Sequence, residues 1–171
     1  MQKLILLLTI LSVSLVSAQA YKGKDDNKFQ VGTNLQENGT GINVSYDYGI
    51  GENISFGISS TYLLGVADAL LKNAVGDEKA DFGDRFDVRA RFNANLGNVI
   101  NVGDNFDVYP GLSLGLRNFG GHLGARYFFT EGFGVYTELN VPFAPYDTDK
   151  SPARKRLNNQ FTVNLGASFN L

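Results

Sequence analysis

The chain has 171 residues, with 15 lysines and arginines against 17 aspartates and glutamates for a formal net charge of -2, and it holds no cysteine, no tryptophan and a single histidine. That length makes one domain. The absence of cysteine excludes a disulfide scaffold, a thiolate metal site, a cysteine nucleophile and an acylated N-terminal cysteine, and the charge balance leaves no electrostatic footprint for DNA or RNA.

Lys3 precedes an unbroken apolar and small run over residues 4–16, followed by the small residues Ser17, Ala18 and Ala20. This is the order of a secretory signal: a basic start, an apolar stretch too short to span a bilayer as a helix, then a cleavage region. Residues 1–20 are therefore read as a signal peptide and residues 21–171 as the exported domain, with cleavage after Ala18 or Ala20 fitting equally.

After a polar lead over residues 21–28, the dominant period is two. Phe29, Val31, Thr33 and Leu35 alternate with Gln30, Gly32, Asn34 and Gln36, and Asn38-Gly39 is a hairpin signal. The same alternation predicts strands near residues 28–36, 41–49, 53–62, 84–96, 105–117, 122–129, 133–141 and 161–171. Residues 63–81 read as a long loop with a short helical turn near residues 66–74. Pro110 interrupts the fifth strand and predicts a bulge or weak pairing, since proline has no N–H for a ladder. Residues 118–121 read as a tight turn. The proline-bearing residues 142–160 read as a second long loop, and residues 161–171 alternate without a break.

Eight such segments make an antiparallel meander, and its apolar face points either inward, as in a soluble ligand-binding barrel, or outward to lipid. Three features favour the outward choice. The apolar face carries Phe, Tyr, Leu, Val and Ile on every strand, too much bulk for the inside of a small barrel. The other face is mostly glycine, serine, asparagine, threonine and glutamine, and it holds the charges of both signs: Asp47, Arg85, Asp87, Arg89, Arg91, Asp107, Arg117, Arg126 and Glu138. Short connections at 50–53, 97–104 and 130–133 alternate with the two long loops, the asymmetry of membrane barrels. The expected fold is an all-β, eight-stranded antiparallel up-and-down transmembrane β-barrel. The register is expected to bring Arg126 opposite or diagonal to Glu138 and Arg91 within reach of Asp107, closing the lumen with paired charges.

With the signal peptide, the meander, the hairpin over residues 125–136 and the regular last strand, the chain resembles the small Gram-negative outer-membrane β-barrel proteins of the OmpX and OmpA transmembrane-domain type. The resemblance covers the whole exported domain and implies residence in the cell outer membrane and insertion by the barrel-assembly machinery. Members usually end in an aromatic residue, whereas this chain ends in Leu171 with Phe169 two before it.

Chemistry-bearing patterns are sparse. His122 is the sole candidate base, placed beside Arg117 where the fifth and sixth strands meet, with no serine or carboxylate at an obvious partner position in that hairpin. Glycines over residues 111–124 lack the Lys-Ser/Thr of a phosphate loop and read as relief of crowding inside the barrel. Asp147 and Asp149 supply two carboxylates, too few for a calcium site. No enzyme activity, metal or cofactor is expected. Arg154, Lys155 and Arg156 form a basic cluster suited to lipopolysaccharide phosphates at the outer surface. The sequence thus reads as a monomeric outer-membrane barrel with a structural or surface-interaction role and a polar, charged lumen. A narrow porin-like channel and a lipocalin-type soluble barrel are the alternatives.

Overall fold

The computed structural model describes residues 18–67, 80–101, 103–146 and 152–171. Eight strands form a closed antiparallel barrel in chain order: β1 (Asn27–Gln36), β2 (Gly39–Gly49), β3 (Ile54–Val66), β4 (Phe86–Ala94), β5 (Phe106–Gly115), β6 (Asn118–Phe128), β7 (Phe133–Pro145) and β8 (Thr162–Asn170). Strand β8 closes on β1 from Lys28↔Asn170 to Gln36↔Thr162. Three short helices lie in the described connections: α1 (Phe82–Arg85), α2 (Gly97–Ile100) and α3 (Pro152–Asn158). We call the end that carries residues 18–26 and α2 the lower end, and the end that carries α1 and α3 the upper end.

The period-two pattern decides which way each side chain points, because successive Cβ atoms leave a strand on opposite faces. Ile58, Leu114, Leu123 and Leu165 stand exposed on the outer wall, while Asn34, Asn43, Asp47, Arg91, Asp107, Arg126 and Glu138 are buried inside. The bulky face is outward, the reverse of what a soluble ligand-binding barrel requires. Aromatic rings gather on the outer wall near both ends. At the lower end Phe29, Phe169, Phe133, Phe129 and Tyr127 form a chain of neighbours with centroids 5.3 to 6.3 Å apart. At the upper end stand Tyr62, Phe82 and Phe86, together with the Phe119–Phe143 pair. An apolar band between two aromatic girdles is the outer surface of a bilayer-spanning barrel.

Several boundaries differ from the sequence expectation, each for a local reason. The fourth strand starts at Phe86 rather than 84 because Asp81 and Asp84 form a reciprocal cap, Asp84 N–H donating to Asp81 Oδ1 at 2.9 Å and Asp81 N–H to Asp84 Oδ2 at 3.1 Å. The tight turn expected over residues 118–121 is strand instead. Its glycines sit in the wall: the ring of Phe143 lies where a Cβ on Gly121 would go. Strand β7 runs on through Pro142 to Pro145, beyond the expected 141, because the β6–β7 register slips between Phe119 and Gly120 and an irregular ladder tolerates proline. The third strand likewise extends past 62 to Val66, with a slip between Thr40 and Gly41.

The expected loop over 142–160 therefore contains the end of β7 and helix α3. The β4–β5 ladder runs only from Arg89↔Gly115 to Asn93↔Gly111 and stops beside Pro110, as the missing N–H predicts. The helical turn expected at 66–74 falls mostly, and Asp147 and Asp149 fall wholly, outside the described residues.

Candidate functional site

Among the described residues, polar chemistry concentrates in the lumen, which is densely filled with side chains. Tyr109 points inward from β5 and is fully buried. Its hydroxyl accepts from Gln30 Nε2 on β1 at 3.3 Å, so one side chain bridges strands on opposite sides of the barrel. Gln30 Oε1 in turn accepts from Ser45 Oγ at 2.9 Å. Gly124, directly opposite Tyr109 in the β5–β6 ladder, makes that placement possible, since a Cβ there would fall on the Tyr109 ring.

Two guanidinium groups flank the Tyr109 ring, Arg126 with its Cζ 4.7 Å from the centroid and Arg91 with its Cζ at 5.8 Å. Such a contact is stronger once desolvated. Each arginine also holds a carboxylate. Arg126 donates through Nη2 to Asp107 Oδ2 at 2.8 Å and to Asn95 Oδ1 at 2.6 Å. Arg91 donates from Nη2 to Glu138 Oε2 at 2.5 Å and brings Nε within 3.1 Å of Asp47 Oδ1. Charges this deeply enclosed persist only when paired, because an uncompensated buried ion costs several kcal/mol.

His122 is also inside. It is not at the loop end beside Arg117 but faces into the lumen from the middle of β6, its Nε2 2.6 Å from Asn93 Oδ1 and its ring edge-on to Tyr109 with centroids 6.3 Å apart.

Both ends of this core are covered. At the lower end, residues 18–26 cross the mouth: Ala18 and Ala20 pack on the fully buried Phe128, and the Tyr21 hydroxyl donates to Ile54 O at 2.6 Å. Burial pushes the Tyr21 hydroxyl up to about 12, so it keeps its proton and remains a donor. Beside it Lys28 Nζ pairs with Asp26 at 2.5 Å, with both groups buried.

At the upper end Leu157 of α3 packs with Leu63 and Ala80. Around this apolar contact, Gln36 Nε2 donates to Leu157 O at 2.7 Å, Asn118 Nδ2 to Asn158 O at 2.7 Å, and Asn158 Nδ2 to Asp84 O at 3.0 Å. Beneath α3 remains a polar chamber of about 20 Å³, lined among others by Asn34, Asn43, Asn140, Asn164, Asp87 and Arg89. That volume admits a water or so and nothing larger.

Of the nine lumen charges read from the sequence, Asp47, Asp87, Arg89, Arg91, Asp107, Arg126 and Glu138 are on the inner face of the strands, with Arg89 and Asp87 paired at 2.6 Å. Arg85 and Arg117 are at the upper end instead: Arg85 is the last residue of α1, and Arg117 Nη2 donates to Gly83 O at 3.2 Å.

The register is as expected but the ion pairs are exchanged. In the β6–β7 ladder Arg126 faces Tyr136 and Glu138 faces Gly124, which sets Arg126 diagonal to Glu138 without pairing their charges. Arg126 is directly opposite Asp107, so that pair forms along the wall. The β4–β5 ladder ends four residues above Asp107, and Arg91 turns across the lumen to Glu138. Lys155 and Arg156 are exposed on α3, which also carries Arg154.

Reading the sequence missed Tyr21, Lys28, Gln30, Tyr109 and Leu157. Tyr109 was visible as a bulky residue on an otherwise polar face, whereas Leu63 fell in the expected loop. Tyr21 and Leu157 gave no periodic signal.

Residues 11–171 match a family described as Family of unknown function (DUF6646). The chain belongs to that family. No curated protein matches it at a significant level. Among solved structures it is similar to the N-terminal β-barrel domain of Pseudomonas aeruginosa OprF, with a TM-score of 0.52 and 11% identity over 88% of this chain and 100% of that one. At that identity the likeness is one of fold: an eight-stranded β-barrel of the outer-membrane type.

Proposed function

We propose that this chain is an exported, monomeric barrel of the outer membrane that does not conduct and does not catalyse, and whose role is structural or interactive at the cell surface. The observation that carries this reading is the Tyr109 bridge: a ring that joins β5 to Gln30 on β1, held between Arg91 and Arg126, crosses the lumen where a conducting path would run. Near-balanced, internally paired charges suit a plug rather than an ion-selective ring. His122 is committed to Asn93 inside this core, without an open face for a substrate.

Residence in a bilayer is supported by the outward apolar band and its two aromatic girdles. The upper end is then external, and helix α3, which carries Arg154 in its sequence, presents Lys155 and Arg156 at the level of lipopolysaccharide phosphates. Insertion by the barrel-assembly machinery would use the alternating strand β8. Membrane fractionation followed by electrophoresis with and without boiling tests the reading. The protein is expected in the outer-membrane fraction and should run faster unboiled; a soluble protein whose mobility heat does not change would overturn it.

A further inference from the structure

The lower mouth distinguishes between the two cleavage bonds that the sequence alone leaves equivalent, and the argument rests on the reading of the chain as an exported barrel. Ala20 is a built part of that mouth. Its N–H donates to Asp104 O at 2.7 Å and its methyl group is buried against Phe128. Tyr21 follows with three attachments: its hydroxyl on Ile54 O, its carbonyl accepting from Asn98 Nδ2 at 3.1 Å, and its ring 6.0 Å from Lys28 Nζ and 5.9 Å from the Arg126 guanidinium.

Cleavage after Ala20 would delete the Ala20 bond and set a new ammonium on Tyr21, in a buried mouth that already holds two cations. The carboxylates there are engaged: Asp26 by Lys28 Nζ and by the N–H of Lys22, and Asp107 by Arg126. A third buried cation without its own partner is strongly disfavoured. Cleavage after Ala18 removes only the Ala18 methyl from the small cluster and leaves every other contact in place. The new terminus is then Gln19, half-buried at the rim with its carbonyl 3.5 Å from Asn170 Nδ2.

We propose that the mature protein begins at Gln19 and that this terminus is closed as pyroglutamate. The α-amine of Gln19 attacks its own side-chain carboxamide carbon, the C–N bond of a five-membered lactam forms, the amide C–N bond breaks, and ammonia leaves with the displaced proton. No oxidant or reductant takes part. The product is neutral, and this relieves the free ammonium one residue from Ala20 and two from the ring that Lys28 and Arg126 flank. The mature strap is then sealed at its start by an uncharged lactam, with Ala20 and Tyr21 anchoring it below the ion pairs.

Intact-mass and N-terminal peptide mass spectrometry of the full chain, expressed with its leader in a Gram-negative host and purified from the outer membrane, tests this. The expected N-terminal peptide starts at residue 19, is lighter than the free glutamine form by one ammonia, and resists Edman degradation until treated with pyroglutamyl peptidase. A Q19A variant should be cut at the same bond and present a free amine. A peptide starting at Tyr21, or at an uncyclised Gln19, in a correctly inserted barrel would overturn this proposal and leave the membrane reading standing. A chain still beginning at Met1 would overturn both.

Discussion

The two halves of the lumen are filled by different means. The lower half is dense and charged: Lys28 with Asp26, Arg126 with Asp107, and Arg91 with Glu138 and Asp47 surround the rings of Tyr21, Tyr109 and Phe128. The upper half is lined by amides and hydroxyls, with the Asp87–Arg89 pair among them, around a water-sized chamber and is closed by a small apolar lid in which Leu157 meets Leu63 and Ala80. The contrast separates two ways of closing a barrel. In the lower half, inward-facing charges meet one another along the wall, as Arg126 and Asp107 do, or across the lumen, as Arg91 and Glu138 do, and removing one partner strands the other. In the upper half, a helix from a long connection does the closing, and its loss would open the chamber.

The largest expected effect is in the lower half. Asp107→Asn leaves Arg126 buried without a carboxylate and should destabilise the barrel by about 3 to 5 kcal/mol, whereas replacing both residues by apolar ones of similar size recovers much of that loss. Urea titration followed by the heat-dependent gel shift measures both. Equal losses from the single and double changes would mean that the pair is not the unit of stability.

Next in size is the contrast between wall and lumen. Leu114→Arg or Leu165→Arg places a charge on the apolar band and should cost roughly 2 to 4 kcal/mol in lipid, as should Val163→Arg, while Ser113→Ala or Asn164→Ala inside should cost much less. Refolding yield into vesicles reads the difference, and equal effects would reverse the inside-outside assignment. In the upper half, Leu157→Ala should cost about 2 kcal/mol, the low end for a buried leucine in so small a cluster. It should also speed amide exchange around Asn158 and Gln36 while leaving Tyr109 protected. Smallest is Asn34→Ala, which removes the bond from Asn34 Nδ2 to Asn164 Oδ1 at 2.8 Å and should change stability by about 1 kcal/mol.

The same division marks what the sequence made legible. Strict alternation announces the strands and the inward residues because a side chain's face follows from its position along the strand. Asp47, Arg91, Asp107, Arg126 and Glu138 were readable as lumen charges for that reason. Their partners were not, because the β4–β5 ladder is cut short at Pro110 and Arg91 reaches across the lumen rather than along the wall. The covers at the two ends were missed because neither has a period. Tyr21 lies in a polar lead and Leu157 in a proline-flanked stretch, and each is fixed by contacts with residues far away in sequence.

The central claim is that the lumen is closed by the Tyr109 bridge and the ion pairs around it. Planar-bilayer recording of the purified, vesicle-refolded protein tests it most directly. No steady single-channel current is predicted for the wild type, and the Leu157→Ala variant should remain silent as well, since the lower half alone blocks the path. A large, steady conductance from the wild-type barrel would contradict the account.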